Sequence, residues 1–328
     1  MSSNARQLGE LATAGIGKNV IINGNFDIWQ RGTSFTSTPN NTITADRWVW
    51  FQIGSGVVDS SRSTLTPDEG SEHTYLVTTT TADASIAATD QYYLHYTAVE
   101  GYDAYRLSYG DSNAKTATLS FWVRSSVTGT YSVAFRNSDA DRSLIAEYSI
   151  NSADTWEYKT ITIPGDTTGT WLKTNNEGLL ISFSLAIGSN KTTSTIGSWQ
   201  AGNYLGSNNQ VNFMGATSRS IRFSRIQFEV GSAATEFERR HFSHELRLCE
   251  RYFEKSSSST LLSSFPGAGA NAYVTWTYRV EKRATPTVTE GAGTVKDSTH
   301  HSDTTEHSVF KLATHARIGG GSTADAEF

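Results

Sequence analysis

Aromatic rings set beside amides are the feature of this sequence with the clearest chemistry. Trp171, Trp199 and Tyr204 lie among Asn175, Asn176, Asn203, Asn208 and Asn209. Flat rings stack on sugar faces while polar groups fix orientation, so Trp171, Trp199, Tyr204 and Asn203 form the candidate glycan-binding set. Gln91-Tyr92-Tyr93 with Tyr96, and Tyr102 with Tyr105, form a second cluster. The same rings can instead fill a core or an intersubunit face, the commoner use of a large ring.

Other constellations offer less. His300-His301-Ser302-Asp303, with His307 and His315, supplies the ligand types of zinc or nickel, but no H-x-x-x-H spacing preorganises them and the segment reads as a loop. A glycosidase needs two facing carboxylates, and nothing pairs Asp139, Asp141 or Glu147 across a groove. Neither a G-x-S-x-G elbow nor a phosphate-binding G-x-x-x-x-G-K-[ST] loop is present. Cys249 falls on an apolar stripe and reads as a small core residue. Gly319-Gly320-Gly321 precedes no helical pattern and reads as a flexible terminus. The expectation is a protein that is not an enzyme and carries no organic cofactor.

The bulk numbers agree with a β-rich extracellular protein. Of 328 residues, 37% are hydrophobic and 11% aromatic, so rings must do much of the packing that aliphatics usually do. A net charge of -5 without a basic stripe speaks against nucleic acid as a partner. No apolar run approaches the ~18 residues of a membrane span, so no membrane insertion is expected. The single cysteine allows no intrachain disulfide. Met1 to Lys18 lacks the charged-then-apolar layout of a signal peptide, which points to synthesis in a cytoplasm.

The elements that must position these residues are strands. Alternation marks Thr118–Arg124, Tyr131–Phe135, Thr160–Ile163, Leu180–Leu185 and Ser220–Phe228. Val20-Ile21-Ile22 opens the series, and Trp48-Val49-Trp50-Phe51 is a further apolar run. Turn residues between the runs, and no βαβ alternation, predict an all-β sandwich or jelly roll over 18–240. Phe242, Leu246, Cys249 and Phe253 share one helical face, predicting a linking helix over 241–255 capped by Ser243. A smaller β domain follows over 256–328, with strands at 273–280, 284–289, 308–312 and 316–318. Residues 1–17 form a short arm whose weak helical spacing needs a partner.

Three stretches resemble a recurrent pattern in phage tail proteins. They are Asn23-Gly24-Asn25-Phe26-Asp27-Ile28-Trp29-Gln30-Arg31-Gly32 with Ala45-Asp46-Arg47-Trp48; Ile226 to Arg240 running into Leu248-Cys249-Glu250-Arg251-Tyr252-Phe253; and Arg283-Ala284-Thr285-Pro286-Thr287-Val288. Together they are similar to bacteriophage tail-fibre or virion proteins with a carbohydrate-binding-like jelly roll. The resemblance covers both ends of the chain and the domain junction, while 52–218 rests on patterning alone. It implies a virion component, a tail fibre or a head fibre or decoration, often a homotrimer. Residues 1–17 would join other virion proteins, and host-surface glycan would be the distal partner. A structural calcium is common in such jelly rolls, and oxygen ligands suit it. Asn25, Asp27 and Glu229, at matching ends of the first and last strands, are its candidate ligands, although their spacing is not that of a calcium loop. A polysaccharide-degrading enzyme and a free carbohydrate-binding module are the competing readings.

Overall fold

The computed structural model describes residues 17–68, 71–256, 262–264, 272–296, 298–311 and 316–328; the expected arm, apart from Gly17, lies outside them, as does His315. The chain divides into two compact units, Met1–Arg240 and His241–Phe328.

The first unit is an all-β jelly-roll sandwich. Its strands are β1 (Ser34–Phe35), β2 (Thr42–Ile43), β3 (Trp48–Ile53), β4 (Val57–Ser63), β5 (Thr74–Thr81), β6 (Gln91–Glu100), β7 (Ala117–Ser125), β8 (Gly129–Arg136), β9 (Arg142–Ile150), β10 (Glu157–Ile163), β11 (Glu177–Ile187), β12 (Thr192–Thr193), β13 (Gln200–Ala201), β14 (Gly206–Ser207) and β15 (Ser220–Val230). A six-stranded sheet runs β1-β4-β5-β15-β7-β10 and a seven-stranded sheet runs β13-β9-β8-β11-β6-β3-β2. Successive strands cross between the sheets, so β15 lies between β5 and β7, and β11 between β8 and β6. Pairing within both sheets is antiparallel. Rings from the two inner faces meet between the sheets. Phe183 lies 5.1 Å from Phe121 and 5.0 Å from Phe223, and Phe135 lies 5.5 Å from Phe228. Each such ring removes on the order of 150–250 Å² from water, which is how a chain short of aliphatics builds a core.

Val20-Ile21-Ile22 is buried but is not a strand. Its amides are satisfied outside any ladder: Val20 N–H donates to the Phe228 carbonyl, Ile21 N–H to Asn19 Oδ1 and Ile22 N–H to the Tyr96 hydroxyl. The motif stretches then interlock across some 200 residues of sequence. Asn23 Nδ2 donates to the carbonyls of Ile28 and Asp46, and Asn23 Oδ1 accepts the Ile28 amide. Asp46 accepts from Gln30 Nε2 at 2.7 Å and pairs with Arg31 at 3.4 Å. A side chain at Gly24 would fall on the Ile226 carbonyl, so glycine there permits close backbone approach. These motif residues close the sandwich.

The second unit begins with helix α1 (Phe242–Glu250), followed by β16 (Phe253–Lys255), β17 (Leu262–Ser264), β18 (Ala272–Thr277), β19 (Thr287–Val295), β20 (Ser298–Ser302), β21 (Glu306–Lys311) and β22 (Ala316–Asp325). The helix is shorter than the expected 241–255 because Phe253–Lys255 instead pairs with β22. Its N-cap is His241, not Ser243: the imidazole accepts the Ser243 amide. Cys249 and Glu250 are buried, whereas Phe242 is 60% exposed. β22 pairs with β16 and β17, and also with β19, while β18-β21-β20 form a separate sheet. Ala272, Val274 and Trp276 alternate into a core with Val309, Ile318 and Ala324. Gly319-Gly320-Gly321 is no flexible end but the middle of β22. A side chain at Gly319 would fall on the Ala292 and Gly291 carbonyls, so the glycines let β19 and β22 approach closely.

Candidate functional site

The outer face of the seven-stranded sheet is where this sequence gathers polar and aromatic groups. Alternation sends Trp48, Leu94, Phe183 and Phe135 inward, so their neighbours point away from the core. Strand register then aligns three rows on the outer face. Phe51, Tyr93, Ser184, Ser132 and Glu147 form the first. Val49, His95, Ser182, Ala134 and Ile145 form the second. Leu180, Arg136 and Ser143 form the third.

Part of this face is covered by the excursion between β11 and β15. Gln200–Ala201 extends the sheet beside β9. Leu205 joins Tyr93, Ala134, Ile145 and Ile187 in a second small apolar core, against which Phe51, Ile196 and Tyr204 pack. Ser184 Oγ donates to the Leu205 carbonyl and Ser207 Oγ to Glu147, whose carboxylate also accepts Asn209 Nδ2 at 3.0 Å. Solvent reaches the face at Phe51, His95, Asn203 and Tyr204, all part-exposed.

The chemistry at this margin is specific. Phe51 and Tyr93 stack at 4.8 Å with their planes 16° apart. The Arg136 guanidinium, 9% exposed, donates to Asn203 Oδ1 at 2.5 Å and bonds the Tyr93 hydroxyl. Its Nε and the Ser182 Oγ are buried without a hydrogen-bond partner. The His95 ring lies 5.5 Å from that of Tyr93. Burial pulls the His95 pKa down to about 4, and the nearby Arg136 charge acts in the same direction, so the ring is neutral at pH 7. Its Nδ1 lies 3.1 Å from the Tyr96 carbonyl, which places the proton on Nδ1 and leaves Nε2 an acceptor. Flat rings, a cation, hydroxyls and an imidazole acceptor are the groups that hold a pyranose.

The predicted glycan set divides. Trp171 and Trp199 come together, centroids 5.2 Å apart and nearly perpendicular, and both pack against Tyr109. Trp171 is buried and its indole N–H donates to the Thr168 carbonyl; that of Trp199 donates to the Pro164 carbonyl. Trp171 therefore packs the interior and offers no open plate. Asn203 and Tyr204 instead join the outer face. Tyr93 belongs to the second aromatic cluster named from the sequence, whereas Phe51, His95, Arg136 and Ser182, which share this face, were not singled out there. A signal was available: Trp48 to Phe51 and Tyr92 to Leu94 are apolar in both phases, the mark of a strand covered on both sides.

The calcium set does not converge in its bonding. Asn25 Nδ2 donates to Asp27 Oδ2 at 3.0 Å, and Asn25 Oδ1 accepts from Ser71. Glu229 is buried and takes its bonds from Gln227 Nε2 and from the Thr235 amide and hydroxyl. Among the described residues no group of three or more His, Cys, Asp or Glu is gathered as a metal site. The histidine tract is a β20–β21 hairpin rather than a loop. His301 contacts Asp303 at 2.8 Å, while His307 contacts Glu290 at 3.0 Å; the side chain of His300 and all of His315 lie outside the described residues.

No family model matches the chain, and no curated protein matches it. Solved structures do. The enzymatically active domain of bacteriophage CBA120 tailspike protein 4 is 11% identical, over 65% of this chain and 21% of its own, at a TM-score of 0.35. An arabinose-bound α-L-arabinofuranosidase is 11% identical, over 63% and 27%, at 0.33. The family 11 carbohydrate-binding module of a Clostridium thermocellum cellulosomal cellulase is 13% identical, over 63% and 98%, at 0.30. The chain thus spans about a fifth of the tailspike domain and about a quarter of the arabinofuranosidase. At TM-scores this low, none of these likenesses bears on what the outer face binds.

Proposed function

We propose that this chain is a non-enzymatic structural subunit of a bacteriophage particle, a tail fibre or a head fibre or decoration, that attaches through glycan bound on the outer face of its seven-stranded sheet. The observation that carries the reading is the part-exposed margin of that face, where stacked Phe51 and Tyr93 adjoin His95, Arg136, Asn203 and Tyr204. The virion role rests on the resemblance of the three motif stretches. A homotrimer, with residues 1–17 joining other virion proteins, completes the proposal.

Retardation of the full chain on immobilised bacterial surface polysaccharide, with reducing ends assayed in parallel, tests it. Retention without reducing-end release is expected. Release of reducing ends would overturn the non-enzymatic reading, and absence of retention would overturn the glycan reading. Light scattering tests assembly: a mass near three times 35.8 kDa is expected. A monomeric free glycan-binding module is the second reading; a mass near 35.8 kDa together with glycan retention would favour it.

A further inference from the structure

We propose that the sugar held on this face is acidic, its carboxylate received by Arg136; the inference rests on the glycan-binding reading above. Arg136 is nine-tenths buried, yet among the described residues it forms no ion pair. Its bonded partners, Asn203 Oδ1 and the Tyr93 hydroxyl, are both neutral, and its Nε has none. Several other arginines of the same unit are paired. Arg142 holds Asp166 through two bonds of 2.8 Å, Arg31 pairs with Asp46, and Arg225 with Asp68. Glu177 acts on Arg136 electrostatically without forming an ion pair with it, and a buried cation without a paired counter-charge is costly.

The surroundings select the counter-charge. His95 is neutral at pH 7 and Ser182 Oγ lacks a partner. Glu147, the acidic residue of the first row, is already held by Ser207 and Asn209. The planar guanidinium matches a carboxylate through parallel N–H bonds, which a neutral sugar hydroxyl cannot reproduce. Part-exposed Phe51, stacked on the buried Tyr93 ring, offers an apolar plate for the sugar ring that bears the acid. A uronate- or sialate-type sugar combines these two features in one residue.

The test is calorimetric titration of the full chain with a panel of glucuronate-, galacturonate- and sialate-containing oligosaccharides, each matched by its carboxyl-reduced neutral counterpart. At least one acidic sugar is expected to bind, with affinity falling tenfold or more on carboxyl reduction. Arg136→Gln should lose the acidic ligand tenfold or more and abolish its advantage over the neutral counterpart. Arg136→Lys, which keeps the charge and loses the fork, should fall between. A wild-type preference for the acid that weakens with added salt needs no variant and supports the proposal independently. Equal binding of acidic and reduced sugars, unchanged by Arg136→Gln, would overturn the acidic inference and leave the glycan reading standing. Failure of every sugar, acidic or neutral, to bind would overturn both.

Discussion

The indole N–H of Trp48 donates to the backbone carbonyl of Asn23 at 3.1 Å, tying the first motif stretch to the start of β3. Asn23 itself has φ of 58°, a left-handed conformation that asparagine tolerates better than most residues. Its side chain serves two carbonyls and one amide in the buried closure. Asn23→Ala leaves these groups unsatisfied, at ~1–3 kcal/mol for each group not recovered by water. Urea unfolding is expected to show a loss of about 3 kcal/mol or more. Asn23→Asp should lose at least as much, since it keeps the acceptor for Ile28 but turns a buried carboxylate toward the carbonyls of Ile28 and Asp46.

In the second unit, Lys282 is fully buried and bonds Glu254 Oε2 and the Glu250 carbonyl, each at 2.6 Å. Burial lowers the lysine pKa, and the adjacent carboxylates oppose that shift. Removing one partner strands the other charge, a loss of about 3–5 kcal/mol, whereas replacing both with apolar groups is often far milder. Lys282→Met is therefore expected to destabilise this unit strongly. The Lys282→Met, Glu254→Leu double variant should recover part of the loss. Additive losses in a double-mutant cycle would contradict a coupled pair.

His95 gives the first unit a pH signature. Its folded pKa, about 4, lies below the ordinary 6.5, so the unfolded chain takes up this proton first. The resulting linkage makes stability fall as pH drops below about 6.5, with the loss complete below about 4 and amounting to at most ~3 kcal/mol. A side chain that does not titrate lacks this loss. The stability advantage of wild type over His95→Gln is therefore expected to shrink between pH 7.5 and 4, measured by urea unfolding at each pH. A constant gap would contradict a part-exposed imidazole held neutral by desolvation.

Particular residues show how far sequence reasoning reached. Strands with one wet face announce themselves, as Thr160 to Ile163 did, because period-two alternation follows directly from the pleat. Val20 to Ile22, an unbroken apolar run, forms no strand, since its amides find side-chain acceptors that no local pattern encodes. Gly319 to Gly321 read as a loose end because glycine's backbone freedom is a local property, while its use between β19 and β22 is a long-range contact. The site was half visible for the same reason. Asn203 and Tyr204 stood out by type, but Arg136 joins Asn203 across 67 residues and reaches Tyr93 from two strands away. Trp171 and Trp199 suggested open plates, and only tertiary packing turns them toward Tyr109.

Glycan binding at the outer face is tested most directly by comparing Phe51→Ala and Trp199→Ala with wild type. The titrant is whichever oligosaccharide the full chain retains. The account predicts that Phe51→Ala, which removes one plate of the Tyr93 stack, loses affinity tenfold or more. Trp199→Ala, whose indole is engaged with Tyr109, Trp171 and the Pro164 carbonyl, should bind like wild type. Undiminished binding by Phe51→Ala together with loss in Trp199→Ala would contradict it, and would move the site to the Trp171–Trp199 cluster.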